Sequence, residues 1–387
     1  MPSRKSLEIP PFIVMDVLER AQAMERAGRH VIHLEVGEPD FATPECIRQA
    51  AVEALGVGQT HYTHSLGKIA LREAVARHYR EKYGVAVNPD NVLVSSGTSP
   101  VMLLTFAALC DPGDEVILSD PHYACYPNFV RFVDGVPVKV RVREEDGFAF
   151  RPEEVKARIN PRTRAILINS PANPTGCLLT TDTMRALAAL GVPIVSDEIY
   201  HGLVYEGRER SILEFTDRAV VINGFSKLYA MTGWRLGYAI LPDELVRPMQ
   251  KMQQNFLISA SDFIQSAGVR ALFGCADDVR AMVAEYKRRR DYTVARVRAI
   301  GLTMAVEPTG AFYVFANAKR HAARFGGSSY KLAMDILDQA AVAVAPGIDF
   351  GDGGEGYLRI SYTNSLANIE EGLNRLEGYL RDADRVS

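Results

Sequence analysis

Between residues 92 and 241, short apolar runs alternate with stretches of helical spacing, and most of the apolar runs end in a turn of small or polar residues. That alternation is how a parallel sheet with helices on both faces is written into a sequence, and it leaves few other architectures open. Val92 to Val94 reads as a strand, followed by Ser95-Ser96-Gly97-Thr98-Ser99-Pro100 and an apolar helix from Val101 to Leu109. Glu115 to Leu118, Ala165 to Asn169 and Val220 to Asn223 read as further strands. In the run Val192-Pro193-Ile194-Val195-Ser196, four of five residues are apolar or proline, which suits a strand buried on both faces. Asp197 then stands at its C-terminal end, where open α/β sheets place ligands. The fold class expected is α/β, a mostly parallel central sheet sandwiched by helices, with a smaller α+β unit.

The flanks read as follows. Residues 1–11 are polar and proline-rich, an arm by composition. Phe12 to Ala27 has helical periodicity through Ile13, Val17, Leu18, Ala21 and Met24, with Gly28 as its stop. Val31 to Val36 alternates as a strand and ends in the turn Gly37-Glu38-Pro39-Asp40. Thr43 is expected to cap a helix running to Leu55, and Thr181 or Asp182 to cap another through Leu190. Asp277 to Ile300 reads as a long charged helix whose Lys287-Arg288-Arg289-Arg290 run is expected to be a solvated face. Strands are expected at 310–315, 342–345 and 357–362, and helices at 329–339 and 367–384. The expected division is 1–42 for the arm and part of a small domain, 43–285 for a large domain, and 286–387 for the small C-terminal domain.

Composition excludes some partners. The 44 basic and 47 acidic residues leave a net charge of −3, so nothing electrostatic recommends nucleic acid or an anionic membrane. The five cysteines show no zinc-type spacing, and their odd number argues against a disulfide framework. No metal is expected. A reducing, cytoplasmic setting follows from the cysteines and from a polar N-terminus without a signal-peptide core.

The chemistry concentrates in Asn223 to Tyr238, NGFSKLYAMTGWRLGY. Lys227 is the only lysine between Lys156 and Lys251, set among small, aromatic and apolar residues with Arg235 eight positions on. An amine in such surroundings loses part of the stabilisation of its ammonium form, and the neutral amine can attack a carbonyl to form a Schiff base. An ordinary surface lysine is the plain alternative. The turn at Gly97, Thr98 and Ser99 before a helix makes an anion site, although Ser and Thr also serve there as caps. Asp197 could likewise be a helix cap, and Arg359, in the middle of YLRISY, could pair with a surface acid. Asn173-Pro174-Thr175-Gly176 is a turn in its own right.

Residues 224–237 resemble the lysine signature of the class I aminotransferases, the fold-type-I enzymes that use pyridoxal phosphate: a small residue, two more, the Schiff-base lysine, an arginine eight further, then a small residue. The resemblance extends over roughly residues 30 to 365. It implies that Lys227 carries the cofactor, that Asp197 keeps the pyridine nitrogen protonated, and that Tyr200 and Asn173 serve the cofactor's 3-oxygen. It implies further that Gly97, Thr98, Ser99, Ser226 and Arg235 belong to the cofactor-binding set, with Tyr62 reaching the phosphate held by a neighbouring subunit. Tyr123 would stack on the ring, Gly37 would lie at the mouth, and Arg359 would take the substrate's α-carboxylate. The Asn173–Pro174 bond is expected to be cis.

Two departures stand out: Gly224 replaces a Ser or Thr and removes one phosphate contact, and Tyr123 replaces a tryptophan, which weakens strict aspartate specificity. The function implied is amino transfer from an L-amino acid to 2-oxoglutarate or pyruvate by a homodimer. A carbon–sulfur β-lyase or a racemase would share these residues. An effector-binding half of a transcription regulator would need a DNA-binding domain that the residues before the first strand are too few to supply.

Overall fold

The computed structural model describes residues 1–386, with side-chain surroundings through Asp382. Its frame is a seven-stranded sheet of β1 (Val92–Ser95), β2 (Glu115–Asp120), β3 (Val136–Arg141), β4 (Thr163–Asn169), β5 (Ile194–Asp197), β6 (Ala219–Gly224) and β7 (Gly237–Ile240), in spatial order β1-β7-β6-β5-β4-β2-β3. The pairs β3–β2, β2–β4, β4–β5 and β5–β6 are parallel, whereas β7 runs opposite to both neighbours, β6 and β1. The expected parallel sheet is therefore present with one reversed strand.

Alternate side chains of each strand serve opposite layers. Ile166 and Ile168 of β4 join one apolar core, and Ala165 and Leu167 join the other. A sheet covered on both faces needs this continuous apolar character, which is why the strands read as unbroken hydrophobic runs. A second sheet, of β8 (Tyr313–Asn317), β9 (Ala345–Pro346) and β10 (Tyr357–Ser361), is antiparallel in the order β9-β10-β8 and has its own core.

Four helices matter to the site: α1 (Ile13–Arg26), α2 (Glu45–Gly56), α3 (Thr98–Leu109) and α4 (Ala276–Ala299). Gly28 follows α1 at φ 87°, a conformation that glycine adopts without strain. Residues 4–8 of the expected arm form a five-residue helix. Only Ile32–His33 of the expected 31–36 strand is paired, with Val342–Ala343. Thr43 does not cap α2; its hydroxyl donates instead to the Ala230 carbonyl, 2.5 Å away, and Pro44 holds the cap position. The 181–188 helix is capped by Thr180, which accepts from the Thr183 amide. The basic run of α4 is half buried: Arg289 pairs with Asp40 and Glu285, and Arg290 with Glu206, Asp291 and Glu307. Burial is tolerable there because each guanidinium meets carboxylates.

The disulfide expectation is overturned. Cys46, in the first turn of α2, is bonded to Cys275, just before α4, across 229 residues of sequence. Five cysteines leave at least one unpaired but do not forbid a bridge, and spacing carries no sign of a pair brought together by the fold. Cys110, Cys125 and Cys177 are free. No helix among the described residues is long and apolar enough to cross a membrane.

Candidate active site

The C-terminal ends of the parallel strands open onto a cavity of about 330 Å³. Asn169 ends β4, Asp197 ends β5, and the turn after β1 leads directly into α3. Of the residues expected at the site, Gly37, Thr98, Ser99, Tyr123, Asn173, Asp197, Tyr200, Ser226, Lys227, Arg235 and Arg359 all line this cavity. Gly97 is not among the lining residues, although it precedes Thr98 and approaches Arg235. Nor is Tyr62; its side chain is 81% exposed to solvent.

Lys227 lies beyond β6 and points its Nζ at the Gly37 carbonyl, 2.7 Å away. Burial pulls its pKa down to about 8; Arg359 and Arg235 push in the same direction, while Glu38 and Asp197 oppose. Asp197 moves the opposite way. Burial raises its carboxyl to about 6, against the Tyr126 hydroxyl donating to Oδ2 at 2.6 Å and the Ile199 amide donating to Oδ1 at 3.1 Å. A carboxylate and an amine whose ionisation is pushed toward neutrality, in one cavity, mark a site built for proton transfer.

The anion end is built by close approach. Gly97 has φ 98° and ψ 174°, and a Cβ there would meet the Arg235 guanidinium at 2.4 Å. Gly237 must also be bare, since its Cβ would fall 2.8 Å from the Thr98 amide nitrogen. The small residues around Lys227 thus let Arg235 and β7 reach the start of α3. The free amides and dipole of that helix, with Thr98, Ser99 and Arg235 beside them, favour an anion.

Arg359 sits in β10 opposite Phe315 and is buried. It donates to Asn173 Oδ1 at 2.9 Å and to the Glu35 carbonyl. Its guanidinium lies 4.4 Å from the Tyr313 ring centre and 4.8 Å from that of Phe350, and its Nε is buried without a partner. A buried donor left unmatched is costly unless a ligand meets it. Asn173 is fixed by its amide donating to Asn169 Oδ1 at 2.8 Å, and Asn169 in turn donates to the Asp197 carbonyl. The Asn173–Pro174 bond is cis, as expected.

Sequence reasoning missed several lining residues. Tyr126 holds Asp197, Tyr313 shares a 2.8 Å hydrogen bond between its hydroxyl and that of Tyr200, and Glu38 accepts from the Thr232 hydroxyl. Gly37 is bare because of Tyr313: a Cβ there would lie 1.9 Å from its hydroxyl. No local motif marks these residues, because each meets its partner across a long stretch of sequence.

A family model described as aminotransferase class I and II matches residues 29–376. The chain belongs to the class I and II aminotransferases. It is 41% identical over 385 residues to a (5-formylfuran-3-yl)methyl phosphate transaminase of Methanocaldococcus jannaschii, covering 98% of this chain and 100% of that one. It is 38% identical to an aspartate aminotransferase of Pyrococcus horikoshii, covering 94% and 93%. Among solved structures, the aspartate aminotransferase of Thermus thermophilus with maleate superposes with a TM-score of 0.92 at 37% identity, over 98% of this chain and 99% of that one. The aminotransferase family is enzymatic, and this chain transfers amino groups, on a fold-type-I scaffold.

Proposed function

We propose that this aminotransferase binds pyridoxal 5′-phosphate in the cavity and moves an amino group from an L-amino acid to 2-oxoglutarate or pyruvate. The observation that carries the reading is Lys227, lowered to about 8, sharing one cavity with the buried Asp197 and with an Arg359 whose Nε lacks a partner. The donor set fits the cofactor: an amine for its aldehyde, a carboxylate for its ring nitrogen, and a helix start with Arg235 for its phosphate. When bound, the cofactor supplies an electron sink for the substrate's α-carbon and a carrier for the amino group.

The residues then divide the work. Asp197, held by Tyr126, keeps a proton at the ring nitrogen. Tyr200 and Asn173 hydrogen-bond the 3-oxygen, Tyr123 packs on the ring, and Gly97, Thr98, Ser99, Ser226 and Arg235 hold the phosphate. Arg359 takes the substrate's α-carboxylate as a bidentate cation, stiffened by Tyr313 and Phe350. Lys227 Nζ, neutral above about pH 8, accepts the α-proton and returns it.

A second copy of the chain completes the proposal. Tyr62 is 81% exposed, and a homodimer is proposed to cover it by bringing it to the partner's phosphate. The large domain is proposed to span 43–285, between an N-terminal segment, 1–42, and a small domain, 286–387; position 285 falls inside α4.

The test is to mix the cofactor-loaded enzyme with a panel of amino acids and an oxo-acid acceptor. Stoichiometric oxo acid with a new amino acid supports transamination. Ammonia with pyruvate from a β-substituted donor would place the enzyme among the lyases instead.

A further inference from the structure

Helix α1 begins without a cap of its own, because Phe12 at its N-cap offers no side-chain hydrogen bond. The cap comes from the far end of the chain. Asp349 accepts the Ile13 amide on Oδ1 at 2.9 Å and the Val14 amide on Oδ2 at 3.1 Å. Its neighbour Phe350 is the ring stacked under Arg359. One short turn, Gly347–Phe350, therefore fixes both the arginine and the start of α1.

What that places at the cavity is apolar. Phe12, Val14 and Met15 line it together with Val36, and Phe12 meets the Tyr123 ring edge-on with centroids 6.1 Å apart. The cations lining the cavity are Lys227, Arg235 and Arg359, all three assigned above, and the remaining charged lining residues are Asp197 and Glu38. A second carboxylate on the substrate would lose its water against this wall, with Glu38 nearby and no fourth lining cation from this chain's described residues to meet it. An apolar side chain would gain from the same burial.

We propose that the start of α1, latched by Asp349, is the surface that receives the substrate's side chain, so that the preferred amino donor is an apolar or aromatic amino acid and not a dicarboxylate, and that of the two acceptors named above pyruvate is the one this wall suits. Asp349 is then a positioning residue acting through Phe12 and Met15. This deepens the aminotransferase reading above and rests on it.

The test uses enzyme reconstituted with pyridoxal phosphate in single-turnover half-reactions with phenylalanine, leucine, alanine and aspartate, following the oxo acid formed. Phenylalanine and leucine are expected to exceed aspartate by about 10-fold or more in apparent second-order rate. Asp349→Ala should lower the phenylalanine-to-alanine ratio about 10-fold, since a methyl group is too short to use the wall. Asp349→Asn, which keeps one acceptor oxygen, should fall between. General damage to the fold would depress both donors together and leave the ratio in place.

If Asp349→Ala does not fold, Phe12→Ala reads the same ratio. Aspartate equal to phenylalanine, or a ratio unmoved by the variants, overturns the proposal and leaves transamination standing. No oxo acid from any donor would remove the transamination reading itself, and this proposal with it.

Discussion

Lys227 holds its proton less tightly than a lysine in water because burial strips solvent from the ammonium, and two arginines oppose a third positive charge. Its neutral fraction grows as pH rises toward about 8 and saturates above. Uptake of pyridoxal phosphate by the ligand-free chain, followed by stopped-flow absorbance, should therefore climb about tenfold per pH unit below that value and level beyond it. Tyr126→Phe removes a donor from the Asp197 carboxylate, so the Asp197 pKa should move up from about 6. The acid limb of the kcat profile should shift to higher pH with it. Gly97→Ala would drive a methyl into the Arg235 guanidinium at a positive φ, and cofactor affinity should fall about 10- to 100-fold by equilibrium dialysis.

Lys227, Asp197, Asn173 and Arg359 were expected at one site from the resemblance of the motifs that hold them, since each motif taken alone also reads as a plain turn, cap or surface pair; all four line one cavity. Tyr126 and Tyr313 were not expected there. Their partners, Asp197 and Tyr200, lie 71 and 113 residues away, and no local spacing records such contacts.

At the scale of elements, most strands and helices were legible to within a few residues, since apolar runs buried on both faces and amphipathic helices carry strong periodic signals. Caps were harder. Thr43 and Thr180 are both good cap residues, yet Thr43 is drawn to the Ala230 carbonyl by the loop beyond Lys227. The reversed strand β7 was invisible because strand direction depends on the connection and not on the strand's composition. The Cys46–Cys275 bridge ties the start of α2 to the start of α4. Replacing both cysteines by serine should lower unfolding free energy by about 2–4 kcal/mol in a denaturant titration. Equal stability of the double variant and the unreduced parent would show that the bridge contributes nothing.

The whole molecule combines a seven-stranded sheet that supplies the cavity floor with a three-stranded sheet that supplies Arg359. Gly37, Tyr313 and Arg359 meet Lys227 and Asp197 only because these units pack together. Sedimentation should give twice the 42.7 kDa chain mass if the exposed Tyr62 surface is covered by a second copy. The amine at 227 is proposed to be the one that takes up the cofactor. Loading the protein with pyridoxal phosphate, reducing with borohydride and mapping the tagged peptide by mass spectrometry tests it directly. A single pyridoxyl group is expected on Lys227, absent from Lys227→Ala; a tag on another lysine, or uptake that survives that substitution unchanged, would rule the assignment out.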